Sequence, residues 1–267
     1  MSRNFQTAGG VRLAVYAEGE GMPFVFQHGL CGDQAQPGQV FPSGEGFSRV
    51  TVECRGHGAS DPGPLADFSI PTFARDIATV IQGAGIEHPV IGGISMGAAI
   101  SLHLAVKRPD LVKALVIARP AWLSASGPDN MFPNLLAGEL LELFPPDEAR
   151  RRFELSDAAE HLAKEGPDNL TSIRGFFAKE PIGVTSALLR RISADGPGVT
   201  EEELRAISVP TIVIGHGRDA VHPIEYARKI ASWIPGANFV EITPKADDAL
   251  AYRNDFRSAL SKFLKEI

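Results

Sequence analysis

Apolar residues along the chain fall into short runs separated by turns that carry glycine and proline, and the runs have two periods. Residues 11–17, 24–27, 50–53, 89–94, 115–118, 211–214 and 239–242 are β-branched or otherwise apolar with little polar alternation, as expected of strands, most of them buried on both faces. A second group repeats at helical spacing: about 69 or 72 to 83, then 96–107, 224–233 and 248–265. In 96–107 the side chains Ala98, Ala99, Leu102 and Val106 share one face until Arg108-Pro109 stops the helix. Strands alternating with helices predict an α/β protein with a mostly parallel central sheet flanked by helices. Residues 11–17 and 24–27, joined through Gly19-Glu20-Gly21-Met22-Pro23, predict an antiparallel hairpin that leads into a buried strand.

Between residues 121 and 207 the strand signal vanishes. Leu, Ala, Glu and Arg dominate there, interrupted by Pro145-Pro146, Gly166-Pro167 and Gly196-Pro197-Gly198. This predicts a helical lid, 122–205, inserted after the strand that ends near Ala118 into a core formed by 1–121 and 206–267. With 267 residues, 44% of them hydrophobic, such a core needs no covalent staples. The formal net charge of −6 leaves no global basic field to attract nucleic acid or an anionic membrane surface. No apolar run approaches the ~20 residues of a membrane span, and the first ten residues lack a signal-peptide core, so a cytoplasmic protein is expected. Cys31 and Cys54 are too few for a disulfide framework or a zinc site. No metal and no cofactor are expected; the expected partner is a small-molecule substrate, and nothing in the pattern sets an oligomeric state.

The chemistry centres on Gly93-Ile94-Ser95-Met96-Gly97, a G-x-S-x-G sequence that follows a predicted strand and opens a predicted helix. In that setting the serine adopts a strained backbone that lifts its hydroxyl clear of the sheet. The strand and helix then pass too closely for side chains two positions away, which Gly93 and Gly97 satisfy. Together with His28-Gly29-Leu30, Arg55-Gly56-His57-Gly58-Ala59-Ser60 and Gly217-Arg218-Asp219, this elbow makes the chain resemble the α/β-hydrolase superfamily over nearly its whole length outside the lid. The resemblance implies a nucleophile at Ser95, an oxyanion hole formed by the backbone amides of Leu30 and Met96, and an orienting acid at Asp219.

It also implies a histidine in the loop after the last strand, and there the chain departs from the family. That loop reads Thr243-Pro244-Lys245-Ala246-Asp247-Asp248, and the usual histidine position falls near Asp247. An aspartate cannot relay a proton from serine at neutral pH as imidazole does. Of the seven histidines, His88 lies at the wrong end of the sheet, His103 is two turns along the helix after Ser95, His161 is in the lid, and His28 and His57 belong to the turn motifs. His216 and His222 remain; His222, three residues past Asp219, is the better candidate base, and a water-bridged or rotated arrangement is expected over so short a span. Lys245 is a second candidate, as in Ser-Lys relays.

Arg119, at a strand's carboxyl end, is placed to offer its planar fork to a substrate carboxylate or else to brace a loop against an acid. Trp122 is a candidate lid wall, and His28 and Lys245 join these two as candidate substrate-binding residues. Three functions follow: a serine hydrolase acting on a small ester, lactone, amide or related carbonyl through an atypical relay; a non-catalytic ligand-binding protein that kept the pocket; and a lyase-type enzyme of the same fold.

Overall fold

The computed structural model describes residues 2–44 and 46–267, Ser2 by its backbone alone. Eight strands form one sheet: β1 (Ser2–Gln6), β2 (Arg12–Glu18), β3 (Met22–Gln27), β4 (Phe47–Val52), β5 (Val90–Ile94), β6 (Ala114–Ala118), β7 (Thr211–Gly215) and β8 (Asn238–Glu241). Their spatial order is β1-β2-β4-β3-β5-β6-β7-β8. Every pairing from β4 to β8 is parallel, whereas β1 with β2 and β2 with β4 are antiparallel. All residues of β5, β6 and β7 are buried, as a sheet covered on both faces requires.

The expected hairpin is not formed. β2 runs antiparallel to β4, with Val15 opposite Val52, and β4 lies between β2 and β3. The turn between β2 and β3 carries the chain past β4: a Cβ on Gly21, at φ +106°, would lie 2.0 Å from the Gly46 carbonyl oxygen, an approach closed to any other residue. β1 was not foreseen, since Ser2-Arg3-Asn4-Phe5-Gln6 has little apolar content; it is held as an edge strand by its ladder to β2.

Helices α2 (Ile70–Gly83), α3 (Met96–Lys107) and α10 (Ile224–Trp233) pack on one face, while α1 (Ala35–Val40) and α11 (Ala249–Leu264) pack on the other, where Phe256 meets Phe26. Their starts are written locally. Ser69 caps α2 by accepting from the Thr72 amide, and Asp248 caps α11 by accepting from the Leu250 and Ala251 amides.

Between β6 and β7 lie α4 (Phe132–Leu143), α5 (Pro146–Glu154), α6 (Asp157–Glu165), α7 (Pro167–Phe176), α8 (Ile182–Ser193) and α9 (Glu201–Arg205), with no strand among the described residues of that stretch. Two of the three breaks read from sequence are helix starts, Pro146 and Pro167 each occupying a first helical position, where the missing N–H has no intrahelical partner to lose, and the third, Gly196-Pro197-Gly198, lies between α8 and α9. Among the described residues no helix is long and apolar enough to cross a membrane.

Two imidazoles knit the ends of β3 and β4. His28 Nε2 accepts from the Cys54 amide at 3.1 Å, and His57 Nε2 accepts from the Cys31 amide at 3.0 Å. Burial lowers His28 to about 4 and, aided by the adjacent His28, lowers His57 well below its ordinary value. Both are therefore neutral in the folded chain while the unfolded chain takes up protons between pH 6.5 and about 4, so the unfolded state binds more protons there and stability falls as the pH falls. The urea-unfolding free energy should be level above about pH 7 and decline steadily below about 6.5; a level profile down to pH 4.5 contradicts this packing.

Candidate active site

Ser95 links β5 to α3 at φ +58°, ψ −112°, a region that non-glycine residues seldom enter. The flanking glycines make that geometry possible. A Cβ on Gly93 would stand 2.2 Å from the Gly97 carbonyl carbon, and one on Gly97 would stand 2.6 Å from the Gln27 carbonyl oxygen.

In front of the serine is a cavity of about 90 Å³. The core contributes Gly29, Leu30, Ser95 and His222 to its wall, and the insertion contributes Met131, Asn134, Ile173 and Phe176. The amides on either side of Leu30 are engaged, Gly29 by the Gln36 side-chain carbonyl at 2.6 Å and Cys31 by His57. Met96 is the first residue of α3, so its amide has no intrahelical acceptor. Leu30 itself lines the cavity beside Ser95, and Met96 follows the serine directly in the chain.

A chain of hydrogen bonds leads away from that hydroxyl. Ser95 Oγ lies 2.8 Å from His222 Nε2, and His222 Nδ1 lies 2.7 Å from Asp219 Oδ1. Burial alone would raise the Asp219 carboxyl, but the Arg119 guanidinium, followed by His222, holds it far below the usual carboxylate range. An ionised carboxylate only accepts, so His222 Nδ1 carries its proton and Nε2 presents a lone pair to the Ser95 hydroxyl. No water need bridge the two: the contact between His222 and Ser95 is direct, in place of the bridged or rotated arrangement expected over a three-residue span.

Arg119 ends β6 at φ +45° and sends Nε and Nη2 to Asp219 Oδ2 at 2.8 and 2.7 Å. It touches the cavity, yet its fork is engaged with Asp219 and, at 3.5 Å, with Asp168. Bracing the acid, not offering a free fork to a carboxylate, is its observed arrangement. His216 is excluded as the partner of Ser95: its Nδ1 donates to the Gly217 carbonyl, its ring packs edge-on against Tyr252, and burial together with Arg119 lowers it to about 4.

The remaining candidates divide. Lys245 reaches the cavity wall, where Nζ pairs with Asp168 Oδ1 at 2.6 Å. Trp122 is wholly buried and donates to the Asp195 carbonyl, so it anchors the insertion and does not wall the cavity. His28 likewise lies under the loop, outside the cavity lining, with both ring nitrogens bonded to backbone. Asp247 pairs with Arg218 at the surface. The loop after β8, where the family resemblance implies a histidine, is occupied by this pair and by the Asp248 cap of α11. Both cysteines are free and buried, and burial pushes the Cys31 thiol up to about 12. Among the described residues no cluster of three His, Cys, Asp or Glu is arranged to hold a metal ion.

The model of the family described as alpha/beta hydrolase fold matches residues 22–250. The chain belongs to the α/β-hydrolase family. It is 29% identical over 211 residues, 73% of each chain, to a Klebsiella pneumoniae (strain 342) protein with the provisional name carbamate hydrolase RutD. It is 28% identical over 245 residues, 86% of this chain and 82% of the other, to the 2-hydroxymuconate semialdehyde hydrolase of Pseudomonas putida. Among solved structures, the esterase EaEST from Exiguobacterium antarcticum superposes with a TM-score of 0.78 at 22% identity, covering 99% of this chain and 100% of that one. At such identity the likeness is one of α/β-hydrolase fold alone.

Sequence reasoning missed the polar residues that the insertion brings to this family fold. Asp168 and Asn169 in the first turn of α7 reach Arg119, Lys245 and Asp219, and Asn134 on α4 lines the cavity with its buried Oδ1 unpartnered among the described residues. The signal available was two adjacent polar residues directly after the Gly166-Pro167 break, at the start of an otherwise apolar helix face.

The elbow's steric demand is testable without a substrate. Gly97→Ala should lose about 1–3 kcal/mol, because the obstacle is backbone that cannot move aside. In a thermal melt this corresponds to a fall of roughly 3–10 °C, and an unchanged melting temperature would contradict the close passage of α3 over β3.

Proposed function

We propose that this α/β-hydrolase is a serine hydrolase that cleaves a small ester, lactone, amide or related carbonyl compound through an acyl-enzyme on Ser95. The observation that carries the reading is the continuous chain Ser95 Oγ, His222, Asp219, with both links below 3 Å. His222 Nε2 takes the hydroxyl proton as Oγ attacks the substrate carbonyl carbon. Negative charge then develops on the carbonyl oxygen, and the Leu30 and Met96 amides face it; one such donor is typically worth about 10²–10³ in rate. The imidazolium, oriented and stabilised by Asp219, returns the proton to the leaving group as the tetrahedral intermediate collapses. Water then attacks the acyl-serine by the same steps in the same order.

The acid and the base share one loop, 219–222, and the last loop of the core is left to Lys245. Its ammonium stands at the cavity wall beside Asp168, suited to a polar substituent of the substrate more than to the Ser95 proton. The cavity's volume and its mixed wall favour a small, partly polar molecule over a long acyl chain. In this reading the six helices between β6 and β7 act as a lid, closing the cavity from the side opposite the sheet. The names of the relatives, hydrolases of a carbamate and of a semialdehyde, accord with small carbonyl substrates. A purely binding role has the missing family histidine as its support, whereas the His222 contact supports the hydrolase reading.

Incubation with p-nitrophenyl acetate should give a burst of nitrophenol and a mass increase of one acetyl group on Ser95. Ser95→Ala should lose both, with turnover reduced by about 10⁴ or more and the fold intact. Lys245→Met should keep the burst and alter at most KM. Turnover undiminished in Ser95→Ala would contradict the assignment, and a burst lost in Lys245→Met would transfer the base to lysine.

A further inference from the structure

A base only three residues beyond its acid leaves little chain between them to define how the two side chains face each other. Part of the definition is internal: the His222 amide returns to Asp219 Oδ1 at 3.2 Å. The rest comes from the insertion. Asn169, on α7 and nine-tenths buried, donates through Nδ2 to Asp219 Oδ1 at 2.8 Å and accepts through Oδ1 from the Val221 amide at 3.2 Å. The orientation of its amide is forced, because a backbone N–H can only donate and an ionised carboxylate can only accept. One side chain therefore grips the turn at the acid and again at the residue before His222.

The approach of α7 to this turn is itself built in. A Cβ on Gly166 would lie 2.3 Å from Asn169 Oδ1 and 3.0 Å from the Ala220 amide nitrogen, so any larger residue there would push the two apart. Next to Asn169, Asp168 meets Arg119, the other partner of Asp219, at 3.5 Å. We propose that Asn169 is a positioning residue for the Asp219–His222 pair, supplied by the helical insertion, so that the relay has its working geometry only while α7 is seated on the core. This rests on the serine-hydrolase reading above, and it assigns the insertion a part in the chemistry beyond covering the cavity.

The test reads activation of the serine without needing the natural substrate. Saturable phosphorylation of Ser95 by a small dialkyl fluorophosphate is followed by intact mass in the full-length protein, and kinact is separated from KI. Asn169→Leu, close in volume and unable to make either hydrogen bond, should fold and should lower kinact by about ten- to a hundredfold, the usual worth of a hydrogen bond to a charged group. KI should stay within about threefold. Asn169→Asp keeps an acceptor for Val221 but sets a second carboxylate against Asp219. The added negative charge favours the imidazolium, so the acidic limb of the kinact profile should move to higher pH; Arg119, Asp168 and His216, which face the same group, are unchanged in this variant. A kinact within about twofold of wild type in Asn169→Leu, or a loss confined to KI, overturns the proposal and leaves Asn169 as cavity wall. Should Asn169→Leu not fold, an unshifted acidic limb in Asn169→Asp overturns it as well. Wild type that is never phosphorylated overturns the Ser95–His222 reading and this proposal with it, whereas labelled wild type with indifferent Asn169 variants overturns this proposal alone.

Discussion

The buried carboxylate of Asp219 is the constraint around which the rest of the site is arranged. A carboxylate removed from water is tolerated only when it is paired and hydrogen-bonded, and Asp219 meets both conditions: Arg119 saturates Oδ2, while His222 and Asn169 converge on Oδ1. Three separate stretches of chain are drawn together by that demand. Arg119 comes from the end of β6, Asn169 from the insertion, and Asp219 and His222 from the loop after β7. The left-handed backbone at Arg119 and the absence of a side chain at Gly166 are what bring the first two near enough.

That arrangement explains how a chain without a histidine after its last strand still presents an imidazole to Ser95. In the proposed relay the family order of serine, acid and histidine is kept, with a span of three residues from Asp219 to His222. A free turn of that length would leave the imidazole's direction loosely set. Here the turn is pinned at Asp219, at Val221 and at the His222 amide, and Pro223 immediately hands the chain to α10. The loop freed from carrying a histidine takes other work: Asp248 caps α11, Asp247 pairs with Arg218, and Lys245 bridges to the insertion.

Much of this was legible from residue order because its causes are local. The steric signature of the elbow, the alternation of strand with helix and the helical composition of the insertion each depend on a few neighbouring residues. Elimination left His216 and His222, and the place of His222 three residues past Asp219, before a predicted helix at the carboxyl edge of the sheet, favoured it of the two. What could not be read was whatever depends on long-range approach. The placement of β4 between β2 and β3 is one instance, since it is decided by ladder pairing between distant residues such as Val15 with Val52 and Val25 with Val50. The burial of Trp122 is another, and so is the use of Arg119, whose strand-end position fits a substrate ligand as well as it fits a brace until Asp219 is found beside it. Asn169 is a further instance, because two polar residues after a Gly-Pro break mark a helix start without showing that one of them meets Asp219 and Val221.

The central claim is that the proton from Ser95 goes to His222, and the pH–rate profile of wild type beside His222→Gln tests it most directly. Glutamine keeps a hydrogen-bonding side chain at this position but cannot titrate. Wild-type kcat/KM toward a small activated ester should rise through a single ionisation at low pH and level off. In His222→Gln that limb should vanish and the plateau should fall by about 10³–10⁴. Full activity with an unchanged limb in His222→Gln contradicts the claim.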